Sequence, residues 1–289
     1  MSYFWYKIGI FIALHFPRRV SYAIARALAF LDYTFFAGKR RRVHKTLRII
    51  MEGKSEKEIK KTALRLYENF ALNITDYFLL FTWNKENWQD FAELNGVDKK
   101  MKELASSGKG VMVSTAHIGN WEVAGFIVGY MGYKAHGIGL PQPNKKVDEL
   151  YREVRRKGNL FVHPFKGGAI GVYKALKRGE IATIVSDRDI NKDGVPVQFF
   201  GRCVTFPKGG AVLAYRTGAK AVFGCAIRVA DGKYRAFLEP EIIVENRNSE
   251  EEFVKEYVQK FASILESYIR KYPDQWFHFF DYFEEFKCV

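Results

Sequence analysis

The residue with the clearest catalytic potential is His117, which stands two positions after a predicted buried strand, Val111–Thr115. Glu122 stands five positions further on, with Gly119 in the turn between them, and a predicted helix starts near Glu122. An imidazole is a common general base at neutral pH, and a carboxylate can fix its tautomer and stabilise its protonated form. The spacing therefore predicts a loop histidine held by a carboxylate on the first helical turn. The alternative is a surface pair, which the short His-x4-acid pattern also describes.

Other catalytic signatures are missing from the sequence. It contains neither a G-x-S-x-G nucleophile elbow nor a Walker-type phosphate loop, and the remaining histidines lack metal-ligand spacing. We therefore expect no metal and no cofactor. Without a serine or cysteine nucleophile, the simplest role for His117 is to activate an acceptor hydroxyl for direct attack on a thioester.

Alternating helices and strands are predicted to position this histidine. Apolar spacing predicts helices at 55–81, 122–130, 145–157, 169–177 and 250–271, and strands at 111–115, 181–185, 219–229 and 234–244. The glycine pairs at 167–168 and 209–210 are interpreted as turns. This alternation predicts a single α/β domain with a mostly parallel central sheet flanked by helices, and with an antiparallel pair at one edge.

The composition indicates an anionic partner. The 289 residues include 46 Lys and Arg against 32 Asp and Glu, a net charge of +14, and 16% of them are aromatic, which excludes general disorder. Cys203, Cys225 and Cys288 are odd in number and widely spaced, which favours a reducing compartment over a disulfide-stapled secreted module.

The first 50 residues hold ten basic residues and one acid, interleaved with apolar stretches at 3–16 and 20–36. The first stretch is shorter than the roughly 20 residues of a membrane span, and Arg26 and Asp32 interrupt the second. We predict that 1–50 forms membrane-anchoring helices that meet anionic lipid headgroups, and that 51–289 forms the α/β domain. Ordinary core helices are the alternative, and whether 1–36 spans or lies on the membrane is left open. No nucleic-acid module is visible, so we expect no nucleic-acid partner.

Several segments together resemble a known family. His117 to Glu122 is similar to the His-x4-Asp/Glu motif of membrane-associated glycerolipid acyltransferases, in particular the late lipid A and phosphatidylinositol mannoside acyltransferases. Further similarities lie in 186–189, in 195–201 with its FFG turn, in 205–219, and in 273–277, which resembles a PEQWFW motif. The resemblance covers roughly residues 1–280 in the family's order. The acidic, aromatic end of the chain at 276–286 departs from the basic tail of the lipid A enzymes.

The resemblance implies roles for specific residues. His117 would be the catalytic base, with Glu122 as its acidic partner, while the mannoside enzymes indicate that Asp187 shares or takes that role. Residues that would bind substrate are Asn120, Arg155, Arg156, Arg188 and Asp189. Arg188 and Asp189 can alternatively form a charge network that holds their loop. The segment 152–178 has eight basic residues and one acid, and it is either a phosphate-binding or donor-binding face or a solvated surface.

Together these observations predict an O-acyltransferase at the cytoplasmic face of the inner membrane, attached peripherally or by one N-terminal anchor. It would move a fatty acyl chain from acyl carrier protein or acyl-CoA to a hydroxyl of a glycolipid or lipid A-like acceptor. The alternative is a non-catalytic, basic lipid-binding protein with the same fold.

Overall fold

The computed structural model describes residues 3–245 and 249–288, in which helices alternate with strands. The helices are α1 (Tyr3–His15), α2 (Arg18–Phe35), α3 (Ala37–Ile50), α4 (Glu56–Leu79), α5 (Val97–Ser106), α6 (Trp121–Tyr130), α7 (Lys145–Lys157), α8 (Gly168–Lys177), α9 (Gly209–Thr217), α10 (Glu250–Lys271) and α11 (Tyr282–Glu285). The strands are β1 (Ala92–Glu93), β2 (Val111–Thr115), β3 (Ala135–Gly139), β4 (Leu160–Pro164), β5 (Ile181–Val185), β6 (Val195–Phe199), β7 (Arg202–Phe206), β8 (Lys220–Ala230) and β9 (Lys233–Glu241).

Seven strands form the central sheet in the order β1-β9-β8-β2-β5-β3-β4. Its neighbours run parallel except β8 and β9, which form an antiparallel pair joined by a short turn. Strands β6 and β7 form a separate antiparallel hairpin. The prediction of a mostly parallel α/β fold with an antiparallel pair towards one edge is confirmed.

Helices cover both faces of this sheet. Buried side chains of α5, α6 and α7 pack on one face, and those of α8, α9 and α10 pack on the other. Residues that alternate along β2 divide between the two cores: Val111 and Val113 lie in the first, and Met112 lies in the second. This division follows from the two-residue period of a strand.

The long predicted helices are observed close to their expected bounds because their ends carry strong signals. Ser55 and Glu58 form a capping box at the start of α4, and the Ser249 side chain caps α10. Strands β1, β3, β4, β6 and β7 were not predicted. In β3 the reason is Gly137 and Gly139, because glycine disfavours strands. Gly209 and Gly210 begin α9 and do not form the predicted turn.

The N-terminal helices differ from one another in burial. Helix α3 places Val43, Leu47 and Ile50 in the core, whereas α1 and α2 leave many large apolar side chains exposed. No single described helix has the length and hydropathy of a membrane span; α2 and α3 reach them only together, across a 92° bend. The proposed boundary at residue 50 stays a prediction.

One cysteine pair departs from the sequence-based expectation. Cys203 and Cys288 form a disulfide across 85 positions, while Cys225 is free and buried. The wide spacing suggested no such pair, but the fold lays the end of the chain along β7, where Lys287 bridges Val204. Disulfides are rare in reducing compartments, so this bond runs against that expectation.

Candidate active site

The register of two neighbouring parallel strands brings His117 and Asp187 together. Thr115 at the end of β2 pairs with Val185 at the end of β5, and the Ser186 amide continues the pairing by donating to the Thr115 carbonyl at 2.8 Å. His117 and Asp187 each stand two positions beyond these paired residues. They therefore meet at the carboxyl end of the sheet, where ligand sites of open α/β folds lie.

Asp187 contacts His117 at two atoms. Its Oδ1 lies 2.7 Å from the ring Nδ1, and its Oδ2 accepts from the His117 backbone N–H at 3.1 Å. An ionised carboxylate only accepts hydrogen bonds, so Nδ1 carries the proton and Nε2 keeps its lone pair. The His117 side chain is 23% exposed, whereas that of Asp187 is fully buried. The arrangement leaves Nε2 as the atom that can take a proton from a substrate.

The carboxylate of Asp187 is held ionised by its surroundings. Burial raises its pKa, but the His117 imidazole, the Arg188 charge and a hydrogen bond from Trp276 outweigh burial and lower that pKa to about 2. Trp276 Nε1 donates to Oδ2 at 3.0 Å, and the Tyr282 hydroxyl donates to the Asp187 backbone carbonyl at 2.5 Å. The C-terminal segment thus positions the acid that positions His117.

Glu122 does not contact His117, contrary to the prediction of a His-x4-Glu pair. His117 does lie in a loop and Glu122 on the first turn of α6, but the Glu122 carboxylate binds Arg155 of α7 at 2.5 and 3.0 Å. A carboxylate on a first turn is stabilised by the helix dipole, and here the guanidinium provides its main partner. Of the two acids considered from sequence, Asp187 is the one that orients the histidine.

The remaining predicted binding residues fall into two groups. Arg188 and Asp189 line a cavity beside His117, whereas Arg156 is exposed on α7 and does not line it. Arg188 donates to the Phe277 carbonyl at 2.6 Å, and Asp189 Oδ2 accepts from Gly194 N–H at 2.9 Å, as expected for residues that hold their loop.

Asn120, also predicted to bind substrate, has both ends of its amide occupied. Its oxygen caps α6 through the Val123 N–H, and its nitrogen donates to the Tyr234 hydroxyl. Asn120 is 2% exposed, so its observed contacts hold the turn after His117 in place.

The cavity beside His117 has a volume of about 2000 Å³ and a largely apolar lining. Part of the lining comes from the sheet face covered by α6, including Val113, Ile127 and Val128. Another part comes from the opposite face and from the N-terminal helices, including Ile170, Leu213, Ile24 and Leu28. The base is thus placed beside apolar space large enough for a lipid chain.

Sequence reasoning found His117 and Asp187 but gave Trp276 and Tyr282 no role. Trp276 lies in the segment 273–277 that was singled out for its resemblance, so a signal existed for it. Tyr282 lies in the segment 276–286, which departs from the family pattern, and nothing in the sequence indicated a role for it. Within residues 3–245 and 249–288, no three His, Cys, Asp or Glu side chains are grouped so that they could hold a metal ion.

The known proteins to which this chain is similar are named acyltransferases. A family model described as bacterial lipid A biosynthesis acyltransferase matches residues 1–285. A phosphatidylinositol mannoside acyltransferase of Mycobacterium tuberculosis is 29% identical over 134 residues, which cover 44% of this chain and 41% of that protein. A protein of the same name from Mycolicibacterium smegmatis is 30% identical over 122 residues, covering 39% and 38%. The matched parts are therefore less than half the length of these relatives.

Proposed function

The chain belongs to the bacterial lipid A biosynthesis acyltransferase family, and from this premise we propose that it transfers a fatty acyl chain from a thioester donor to a hydroxyl of a membrane glycolipid. The observation that carries the proposal is the His117–Asp187 pair beside the apolar cavity. Two relatives named phosphatidylinositol mannoside acyltransferase agree with a glycolipid acceptor.

In the proposed reaction His117 acts as general base. Its Nε2 takes the proton of the acceptor hydroxyl while the oxygen attacks the thioester carbonyl, and Asp187 stabilises the resulting imidazolium. The tetrahedral intermediate then collapses: the C–S bond breaks, and the imidazolium returns the proton to the departing thiolate. The products are an ester and a free thiol, and no covalent acyl-enzyme is needed.

The cavity would hold the acyl chain. Burial of apolar surface is favourable by roughly 25 cal/mol for each Å² removed from water. An apolar lining therefore favours the binding of a lipid chain. Helices α1 and α2 contribute Trp5, Ile24 and Leu28 to the cavity wall, and these same three side chains are also exposed to solvent. A lipid acceptor could therefore pass directly from a membrane at these helices to His117.

We place the membrane at a surface formed by exposed apolar side chains of α1 and α2 and by Phe36, which follows α2. This N-terminal apolar surface comprises Phe4, Trp5, Phe11, Leu28, Phe35 and Phe36. The exposed basic residues Arg19 of α2 and Arg41 and Arg42 of α3 would meet anionic headgroups. A thioester donor is water-borne in the cytoplasm, so the cytoplasmic face of the inner membrane suits the reaction. Disulfides are rare in that compartment, so the state of Cys203 and Cys288 in cells tests this placement.

The donor would dock on the basic surface of α8, which comprises the exposed side chains of Lys174 and Lys177. The exposed basic residues of α7 belong to the helix layer on the other face of the sheet and are not part of it. The basic surface of α8 lies next to Ile170 and Tyr173, two exposed residues that also line the cavity. Both acyl carrier protein and the phosphates of acyl-CoA are anionic and complement such a surface.

The experiment that tests the function supplies the purified protein with labelled acyl-acyl carrier protein or acyl-CoA and a lipid extract of its host. We expect a labelled glycolipid and a clear preference for one donor. Charge reversal at Lys174 and Lys177 should raise KM for that donor about tenfold, and the same reversal at exposed Lys60 and Lys61 of α4 should not. Absence of any labelled lipid with either donor would contradict the proposal.

A further inference from the structure

A buried polar network lies behind the turn that carries His117. At its centre Asp76 of α4 and Arg228 of β8 form an ion pair of 2.7 Å, and they are 3% and 8% exposed. Two tyrosines donate to the same carboxylate: Tyr22 of α2 to Oδ1, and Tyr234 of β9 to Oδ2. A buried ion pair contributes little net stability, because removing both charges from water costs free energy. The role of this pair therefore lies in the contacts that it orients.

The network reaches the catalytic turn at two places. Asn73 accepts from Arg228 at 2.6 Å and donates its own N–H to the Gly119 carbonyl at 2.6 Å. Asn120 donates to the Tyr234 hydroxyl at 3.1 Å. Gly119 and Asn120 are separated from His117 only by Ile118. The network therefore fixes the backbone that carries the base.

The same turn has no room to adjust by itself. Gly119 has a φ of +57°, and a Cβ there would lie 2.0 Å from the Ala226 carbonyl oxygen. The Gly119 amide donates to the Gln275 carbonyl, and the Asn120 amide donates to the Ala226 carbonyl, both at 2.8 Å. These hydrogen bonds hold the turn in place, and so keep the base within the small range of positions that catalysis requires.

We propose that Asp76, Arg228 and Tyr234 are positioning residues for the reaction, because they fix the turn 117–120 through Asn73 and Asn120. Tyr22 donates to the other oxygen of the Asp76 carboxylate and accepts from Arg228 at 3.5 Å, and within the described residues it has no hydrogen bond to the turn 117–120. The proposal rests on the function proposed above for its effect on turnover, but its structural part does not.

The two tyrosines provide a matched pair of variants. Tyr234→Phe and Tyr22→Phe each remove one hydroxyl that donates to Asp76 and leave the buried ring in place, but only Tyr234→Phe cuts the bond to Asn120. The experiment compares hydrogen–deuterium exchange in peptides covering 116–121 with kcat, KM and the melting temperature of each variant. Asn73→Ser, which removes the donor to Gly119, serves as a second variant should Tyr234→Phe fold poorly.

We expect Tyr234→Phe and Asn73→Ser to speed exchange at 117–120 and to lower kcat, each by about tenfold, with KM little changed. Tyr22→Phe should lower the melting temperature similarly and leave both exchange and kcat within about twofold of the wild type. Equal effects of both tyrosine variants, or unchanged exchange in Tyr234→Phe, would overturn the positioning role. Absence of acyl transfer by the wild type would contradict the proposed function alone, because the exchange result stands without it.

Discussion

The carboxylate of Asp187 accepts hydrogen bonds from both the ring and the backbone amide of His117. One acid thus sets the tautomer of the base and the position of its main chain. The Trp276 indole and the Tyr282 hydroxyl hold this acid in turn, so residues from three distant parts of the chain define one proton-accepting nitrogen.

Because Asp187 and Glu122 have different contacts, we expect their substitutions to lower kcat to different extents. Asp187→Asn removes the charge that stabilises the imidazolium, and we expect kcat to fall about a thousandfold. Because the native protein lowers the pKa of this carboxylate, the substitution should also lower the melting temperature. Glu122→Gln leaves the partly buried Arg155 guanidinium without its anionic partner, so we expect a stability loss of about 2 kcal/mol and less than about a tenfold fall in kcat. Steady-state kinetics and urea unfolding of both variants measure this contrast; the reverse pattern would restore the His-x4-Glu pairing.

His278 predicts an acid-sensitive stability. Burial lowers its pKa from 6.5 to about 4, so the unfolded chain binds a proton between these values that the native protein does not. The free energy of unfolding should therefore decrease as the pH falls from 6.5 towards 4, by up to about 1.4 kcal/mol per pH unit from this residue.

Other buried histidines add to the slope of the wild type, so the test is a difference. His278→Asn keeps a donor for the Trp276 carbonyl and removes the titration. Urea unfolding at about pH 7, above both pKa values, and at about pH 6 and 5, between them, should show a shallower pH dependence in the variant. Parallel profiles would mean that His278 does not titrate in this window.

The disulfide predicts a stability that depends on reductant. Because Cys203 and Cys288 close a loop across 85 positions, Cys288→Ser should lower the free energy of unfolding by about 3 kcal/mol. A reducing agent should lower the wild type equally and leave the variant unchanged. Cys225→Ala is the control, since Cys225 is free and should not alter the response to reductant. Alkylation of protein taken directly from cells and unfolded in the presence of the reagent would show whether the bond exists there; three reactive thiols would contradict it.

The N-terminal apolar surface predicts binding to anionic vesicles. Leu28 and Phe35 are 60% and 75% exposed, so Leu28→Glu with Phe35→Glu should weaken vesicle binding at least about tenfold by removing apolar area and adding like charge. Ile243→Glu is a matched control, because Ile243 is 64% exposed and lies outside the N-terminal helices. Sedimentation with phosphatidylglycerol vesicles measures the effect, and equal binding by all three proteins would exclude this surface.

The sequence predicted the parts of the site that depend on local pattern. The buried runs 111–115 and 181–185 marked two strand ends, and His117 and Asp187 stand two positions beyond them. Which acid meets the histidine depends on strand order and register, and these are properties of the whole sheet. Glu122 is closer in sequence, but the helix turns its side chain towards Arg155. Trp276, Cys203 and Cys288 were beyond local reasoning for the same reason, since long-range packing brings each to its partner.

The central claim is that His117 is the base in acyl transfer to a lipid hydroxyl. The most direct test measures transfer of labelled acyl chain from the preferred thioester donor into host lipid by the wild type and by His117→Ala, with vesicle binding and the melting temperature measured in parallel. We predict a loss of at least about a hundredfold in the variant, with vesicle binding and folding retained. Turnover by His117→Ala within about twofold of the wild type would contradict the account.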